Sequence, residues 1–181
     1  MRATGTAIFL LLLCFAPRVH AEERPISDLG KTLVLERDGP GASDAILLDV
    51  RLRDDSTGGS VRFPRLVGPI WVSPENRQVF SCESNAIMAT GAALGFDLSG
   101  RRAFAFQHRG FLRDCGLTED RRLYWLIYNV AVGGETKNSV VVLDEAGRVV
   151  ASAMFAGERS FEFSVGGRPY VLPVAQAELP G

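Results

Sequence analysis

The side chains best suited to chemistry after residue 21 are two cysteines, Cys82 and Cys115, and one histidine, His108. In an oxidising compartment an even pair of cysteines predicts a disulfide. That bond would close a loop of 33 residues and stabilise the fold by roughly 3–4 kcal/mol on the chain-entropy account. The alternative is a thiol enzyme in which His108 activates Cys115 as a nucleophile.

Other catalytic and cofactor-binding arrangements have little support in the sequence. A single histidine excludes multi-histidine zinc sites, and a site built on His108 and both cysteines would still need a carboxylate. The chain lacks a nucleophile elbow, a phosphate-binding loop and a dinucleotide fingerprint. Its 21 acidic residues offer too many carboxylate pairs to single out one glycosidase site. We therefore predict no catalytic residue, no metal and no cofactor, and leave open whether Asp54 and Asp55 bind Ca²⁺.

A long irregular connection is predicted over residues 107–120, and the disulfide of Cys115 would tie it to the rest of the chain. Long loops that retain apolar and arginine residues often serve binding, and arginines and aromatics anchor protein interfaces. The alternative is that Phe111 and Leu112 fold back as a plug in the core. Ser84 and Asn85 follow Cys82 and would lie near this connection if the disulfide forms. The predicted contact residues for a protein partner are Ser84, Asn85, His108, Arg109, Phe111, Leu112 and Arg113.

The first 21 residues are typical of a secretory signal peptide. Arg2 supplies a positive charge, residues 7–16 are apolar, and Val19-His20-Ala21 is a cleavage signal before Glu22. Ten apolar residues are too few to span a bilayer. We expect a periplasmic or secreted protein with no membrane insertion after cleavage.

The remaining residues, 22–181, are expected to form a single β-rich domain large enough to bury a core. Without Arg2 and Arg18 they contain 18 basic and 21 acidic residues, a net charge of −3. Contacts with nucleic acid normally need clustered lysines and arginines. The composition therefore argues against a nucleic-acid partner.

Five similar turns recur after residue 72 and predict the architecture. They begin at residues 73, 97, 118, 144 and 164, and each precedes a run suited to a β-strand. Two consecutive hairpins span 45 to 47 residues, the length of a four-stranded propeller blade. Residues 22–181 hold about three and a half such units, whereas a closed propeller needs at least four.

The predicted fold class is therefore all-β, an antiparallel meander of repeated hairpins arranged as a partial propeller or a sandwich. Completion by oligomerisation is a third arrangement compatible with the turn spacing. Residues 123–132 are apolar on both faces, which predicts a central strand. Residues 22–30 are polar and end in glycine, so we expect a loose leading segment.

The strand-turn-strand run over residues 70–81, together with the signal peptide and the size, resembles small periplasmic immunity proteins against type VI secretion peptidoglycan amidases. Those proteins are similar to β-propeller fragments, and they block the toxin with a loop placed in its active-site cleft. The resemblance implies a periplasmic inhibitor. It assigns no inhibitory residue in this chain.

Together these observations favour an exported, non-enzymatic β-repeat protein that binds a protein partner. The sharpest version is an immunity or inhibitor protein that neutralises an exported cell-wall-degrading toxin such as an amidase. Two alternatives remain at this point: a secreted hydrolase or thiol enzyme that uses His108 and Cys115, and a structural module of the cell envelope.

Overall fold

A computed structural model describes residues 21–37, 47–85, 88–157 and 159–174. This part of the chain consists of fifteen β-strands and one 3-10 turn, Ser27–Leu29. All pairings are antiparallel and, apart from β5 beside β3, join consecutive strands, so the predicted all-β meander is confirmed. Within these ranges no helix has the length and apolar character needed to cross a membrane. The predicted signal peptide lies outside the described residues except for Ala21, the first residue of β1.

The first sheet contains five strands in the order β1-β2-β3-β4, with β5 added beside β3. Its strands are β1 Ala21–Ile26, β2 Lys31–Arg37, β3 Leu47–Asp54, β4 Ser60–Arg62 and β5 Leu66–Val67. The predicted loose segment over residues 22–30 is therefore wrong. Residues 21–26 pair with β2 along their whole length, although five of the six are exposed.

The second and third sheets are four-stranded meanders, and a two-stranded hairpin follows them. The second sheet comprises β6 Ile70–Ser73, β7 Gln78–Asn85, β8 Thr90–Asp97 and β9 Arg102–Arg109. The third comprises β10 Phe111–Leu117, β11 Tyr124–Val132, β12 Glu135–Leu143 and β13 Val149–Phe155. The hairpin, here called the half-blade, comprises β14 Arg159–Val165 and β15 Arg168–Val174. The described chain thus forms three blade-like sheets and half of a fourth, as the turn spacing predicts.

The predicted long connection over residues 107–120 is also wrong. β9 continues to Arg109, one glycine follows, and β10 begins at Phe111. The pairing of β10 with β11 shifts register between Leu112 and Asp114, which leaves Arg113 as the extra residue of a β-bulge. This bulge breaks the apolar alternation by which a strand is detected in a sequence.

Three apolar clusters fill the spaces between successive sheets. The first joins the first and second sheets, the second joins the second and third, and the last joins the third sheet to the half-blade. Neighbouring residues of the inner strands face opposite clusters: Val79 belongs to the first and Phe80 to the second. The same holds in the predicted central strand β11, where Leu126 faces the second cluster and Ile127 the last. Stacking of sheets explains why both faces of such strands are apolar.

All five repeated turns lie at one end of the molecule, here called the turn end, because alternate connections of an antiparallel meander share an end. Hydrogen bonds link these turns across the sheets. Ser73 Oγ donates to the carbonyl oxygen of Arg121 at 2.5 Å, and Tyr124 Oη donates to Gln78 Oε1 at 2.6 Å. Tyr170 Oη donates to Asp120 Oδ2 at 2.9 Å and so ties in the half-blade. The repeated turns are therefore a structural framework.

The two outermost faces differ from the interiors of the stack. The free face of the first sheet carries ion pairs, including Glu23 with Arg53 at 3.0 Å and Arg62 with Asp49 at 3.3 Å. Such exposed pairs contribute little stability but make the face polar.

At the other end of the stack, β15 is an edge strand. It pairs with β14 alone in the described chain and contains two prolines. Because proline has no N–H to donate, it is confined to edge strands, and β15 ends its sheet.

Candidate functional site

The end opposite the five turns, here called the rim end, carries the irregular connections of the second and third sheets. There the chain passes from β7 to β8, from β9 to β10, and from β11 to β12. These connections do not repeat the turn pattern of the other end, which begins with Asp, Ser or Thr. The rim end is therefore where the residues of the connections differ from those of the repeated turns.

Gly110 fixes the geometry of this end. Its N–H donates to the carbonyl oxygen of Ala89 at 2.6 Å, which joins the β9–β10 connection to the β7–β8 turn. Its φ of +119° lies in a region that L side chains avoid. A Cβ at this position would lie 2.2 Å from the carbonyl oxygen of Asn129 in β11. Only glycine allows these three backbone segments to approach so closely.

Exposed apolar side chains occur on the strands and the turn near this junction. The exposed fractions are 68 % for Met88, 51 % for Phe111 and 42 % for Val132. Arg109 is also exposed, and no ion-pair partner for it is found in the described part of the chain. We call these four residues the rim patch. Aromatic residues, methionine and arginine are the residue types enriched at protein interfaces.

The predicted contact residues divide between surface and interior. Arg109 and Phe111 are exposed in the rim patch, and Ser84 and Asn85 are exposed on the adjoining end of β7. Leu112 instead packs against the second cluster, which confirms the core-plug alternative for this residue. Arg113 is half-buried, and its Nη1 donates to Asn138 Oδ1 at 3.4 Å. The expectation that Leu112 and Arg113 present themselves on a loop is corrected by the strand and bulge that hold them.

His108 is buried, so we correct the expectation that it contacts a partner directly. Its side chain is 5 % exposed and its ring stacks on Tyr128 with centroids 4.7 Å apart. Among the residues that the structure describes, neither ring nitrogen finds a hydrogen-bond partner. Burial lowers the pKa of His108 because the charged imidazolium loses its hydration. Gly91 supplies the space, since a Cβ there would lie 2.5 Å from His108 Nε2.

The predicted disulfide between Cys82 and Cys115 is present, with an S–S distance of 2.02 Å. Both residues are fully buried in the second cluster, so the bond crosses from β7 to β10 and ties two sheets together. A sulfur in a disulfide is not a thiolate and is not a nucleophile. Cys115 in this structure therefore has a structural role.

Asp54 and Asp55 are engaged by neighbouring side chains. Lys31 Nζ donates to Asp54 Oδ2 at 2.8 Å, and the hydroxyl of Thr32 donates to Asp55 Oδ1 at 2.7 Å. Bonds from Lys31, Ser56 and Thr57 hold the pKa of Asp54 well below its usual range. Within the ranges that the structure describes, no group of three or more potential ligand side chains is suited to a metal ion.

The sequence reasoning missed an open cleft of about 650 Å³ between the first and second sheets. It also lies at the rim end, where β1 begins, β2 ends and β6 begins. Glycine and proline before a tryptophan, at Gly68-Pro69-Ile70-Trp71, are the local signal for its far wall. The other wall comes from distant positions that only the fold brings together: Glu22, Arg24, Leu35, Arg37 and Leu48.

Comparison with known proteins identifies the fold. No family model and no curated protein matches the chain. Among solved structures, it is similar to the β-propeller domain of the Trilobed protease from Pyrococcus furiosus, which has an open velcro topology. The TM-score is 0.57 and the identity 10 %, over 90 % of this chain and 57 % of that one.

A second similarity is to an acylaminoacyl peptidase of Pyrococcus horikoshii. Here the TM-score is 0.55 and the identity 11 %, over 85 % of this chain and 32 % of the peptidase. The chain thus spans about one third of the peptidase and just over half of the propeller domain. At such identities the likeness shows the fold alone, a β-propeller-like arrangement of antiparallel sheets.

Proposed function

We propose that this chain is an exported, non-enzymatic β-repeat protein that binds a protein partner at the rim end. The observation that carries the proposal is the rim patch: Met88, Phe111 and Val132 are about half exposed or more, at an end where Gly110 links two connections by a backbone hydrogen bond. Exposed apolar side chains are the groups that a bound partner would remove from water. Arg109 adds the guanidinium that commonly anchors an interface.

The sharpest form of the proposal is an immunity or inhibitor protein against an exported cell-wall-degrading toxin. The disulfide between Cys82 and Cys115 is consistent with an oxidising compartment, where such toxins act. A stack of sheets with one end tied by hydrogen bonds and one end of irregular connections suits an inhibitor, because a preorganised surface loses little entropy on binding. A buried His108 and a bonded Cys115 leave the rim patch without a nucleophile of the thiol type.

The test uses an exported peptidoglycan amidase or related toxin encoded beside the gene of this protein. Calorimetry should give a one-to-one complex, and peptidoglycan hydrolysis should fall as the protein is added. The double substitution Arg109→Ala and Phe111→Ala should weaken binding by at least about thirtyfold, since two hot-spot truncations each cost more than about 1 kcal/mol and each 1.4 kcal/mol is about tenfold in affinity.

The matched control carries Arg102→Ala and Val149→Ala. Arg102 is exposed at the other end of β9, and Val149 is 49 % exposed at the turn end. This control should bind like the unaltered protein. Unchanged binding by the rim variant would remove the site assignment, and a complex without loss of hydrolysis would remove the inhibitor role.

A further inference from the structure

The outer strand of the third sheet, β13, presents an edge that no other described strand covers. It pairs with β12 on one side only. Among the edge strands of the described ranges, β13 alone is longer than four residues and contains neither a charged residue nor a proline. A bulge at Val150 leaves residues 151–155 in regular pairing with β12. Proteins usually guard exposed edges with charges, prolines or very short strands, so β13 is open to pairing with another strand.

The register of the third sheet determines which backbone groups of β13 face outward. The turn between β11 and β12 consists of two glycines with positive φ, Gly133 and Gly134. In such a hairpin the residues that flank the turn exchange both backbone hydrogen bonds, and bonded and non-bonded pairs then alternate. Continued across β12, this alternation directs the N–H and C=O groups of Ser152 and Met154 away from the sheet. These two residues therefore offer two donors and two acceptors to a neighbouring strand.

The outer edges of the half-blade and of the second sheet differ from that of β13. The half-blade also turns through two glycines with positive φ, so the same alternation directs Pro169, Val171 and Pro173 outward from β15. Two of these three positions have no N–H to donate. In the second sheet, β9 carries an arginine at each end. In an antiparallel pair of identical β9 strands these like charges would lie opposite each other and repel. Neither edge is suited to pairing with its own copy.

We propose that a second copy of this chain pairs with β13 edge to edge, antiparallel, about a two-fold axis at Ala153. Ser152 of each copy lies opposite Met154 of the other, and their outward backbone groups exchange hydrogen bonds. The two Ala153 side chains meet at the axis, where the strands approach most closely and a small residue fits. Because β13 is uncharged, no like charges face each other across the new pair. The same surface serves both copies, as a two-fold interface requires.

The dimer formed in this way is weak and reversible. Met154 is 52 % exposed, and its side chain packs beside Ser152 of the other copy. One pair of short strands buries less than the roughly 1,200–2,000 Å² of a stable interface. We therefore expect dissociation in the micromolar range or weaker. The edge of β13 is distinct from the rim patch, so this proposal does not depend on the proposed function, and either can fail alone.

The test is analytical ultracentrifugation of the purified protein at concentrations from micromolar to millimolar, with no other protein present. A reversible equilibrium between monomer and dimer supports the proposal, and a monomer at every concentration overturns it. The double variant Ser152→Lys, Met154→Lys places lysine opposite lysine at both pairs and should weaken dimerisation at least about tenfold. The double variant Ser152→Glu, Met154→Glu should do the same. An equimolar mixture of the two variants should dimerise again, because each lysine then faces a glutamate.

The matched control is Val171→Lys. Val171 is 60 % exposed and also faces outward from an edge strand, but it lies between the two prolines of β15. This control should dimerise like the unaltered protein, and circular dichroism checks that every variant folds. Undiminished dimerisation of the lysine variant, or a mixture that stays monomeric, would overturn the assignment to β13. Loss of the dimer in the Arg109→Ala, Phe111→Ala variant would place the contact at the rim patch and would overturn it as well.

Discussion

Removing the Cys82–Cys115 disulfide should cost this protein a large share of its stability. The two cysteines are separated by 33 residues, and the chain-entropy relation for such a loop gives about 4 kcal/mol at 25 °C. Domains of this size are stable by only about 5–15 kcal/mol. The double variant Cys82→Ala, Cys115→Ala also leaves two small voids in the second cluster, where both residues are fully buried. We therefore expect a loss of about 4 kcal/mol or slightly more.

The assay is denaturation in guanidinium chloride followed by circular dichroism, with the oxidised protein and the double variant compared under identical conditions. Oxidised protein treated with reductant provides the control, because it removes the bond without changing the sequence. Mass spectrometry of unreduced, alkylated protein establishes the state of the thiols. A loss below about 1 kcal/mol, or alkylation of both cysteines without reductant, would refute this account of the second cluster.

Three further perturbations probe the rim end, the buried histidine and the turn end. Gly110→Ala should lower the free energy of unfolding by about 1–3 kcal/mol or more, because the new Cβ would clash with the carbonyl oxygen of Asn129. Gly133→Ala is the control, because Gly133 also has a positive φ but lies in open space. It should lower the free energy of unfolding less in the same denaturation assay. Burial lowers the pKa of His108, so the unfolded chain takes up the proton first, and stability should fall as pH drops below about 6.5. Denaturation between pH 5 and 7.5 should show a flatter profile for His108→Gln, and an equal slope would contradict this reasoning. Tyr124→Phe deprives Gln78 Oε1 of its 2.6 Å donor and should destabilise by about 1–2 kcal/mol, whereas Tyr128→Phe, whose ring stacks on His108, should cost less.

The sequence predicted those parts of the fold that depend on local turn chemistry and on strict alternation. Five turns with regular spacing and a central strand with two apolar faces were sufficient for a blade-like meander. β1 was not predicted as a strand because it is held by pairing with β2 rather than by burial, so its side chains are mostly polar. β10 was not predicted as a strand because the bulge at Arg113 shifts the apolar alternation in its middle.

The candidate site was predictable only where chain order places residues at the same end. Arg109 and Phe111 flank one connection, and Ser84 and Asn85 precede the neighbouring one, so a meander brings them to one end. His108 is adjacent in sequence but faces the interior, since neighbouring residues of a strand point to opposite faces. The cleft was beyond sequence reasoning because Arg24, Arg37 and Trp71 belong to three different strands of two sheets.

The separation of a bonded turn end from an exposed rim end has a consequence for engineering. Cooperative folding depends on the sheets, their clusters and the bonds of the turn end: Ser73 to Arg121, Tyr124 to Gln78 and Tyr170 to Asp120. Gly133 and Gly134, at the tip of the β11–β12 hairpin, contact nothing that a side chain would displace. Peptides inserted there would enlarge a surface without interrupting the framework, and the closure entropy of a longer loop grows only slowly. The protein is therefore suited to serve as a display scaffold, in which new recognition loops are selected at one end while the other keeps the fold intact.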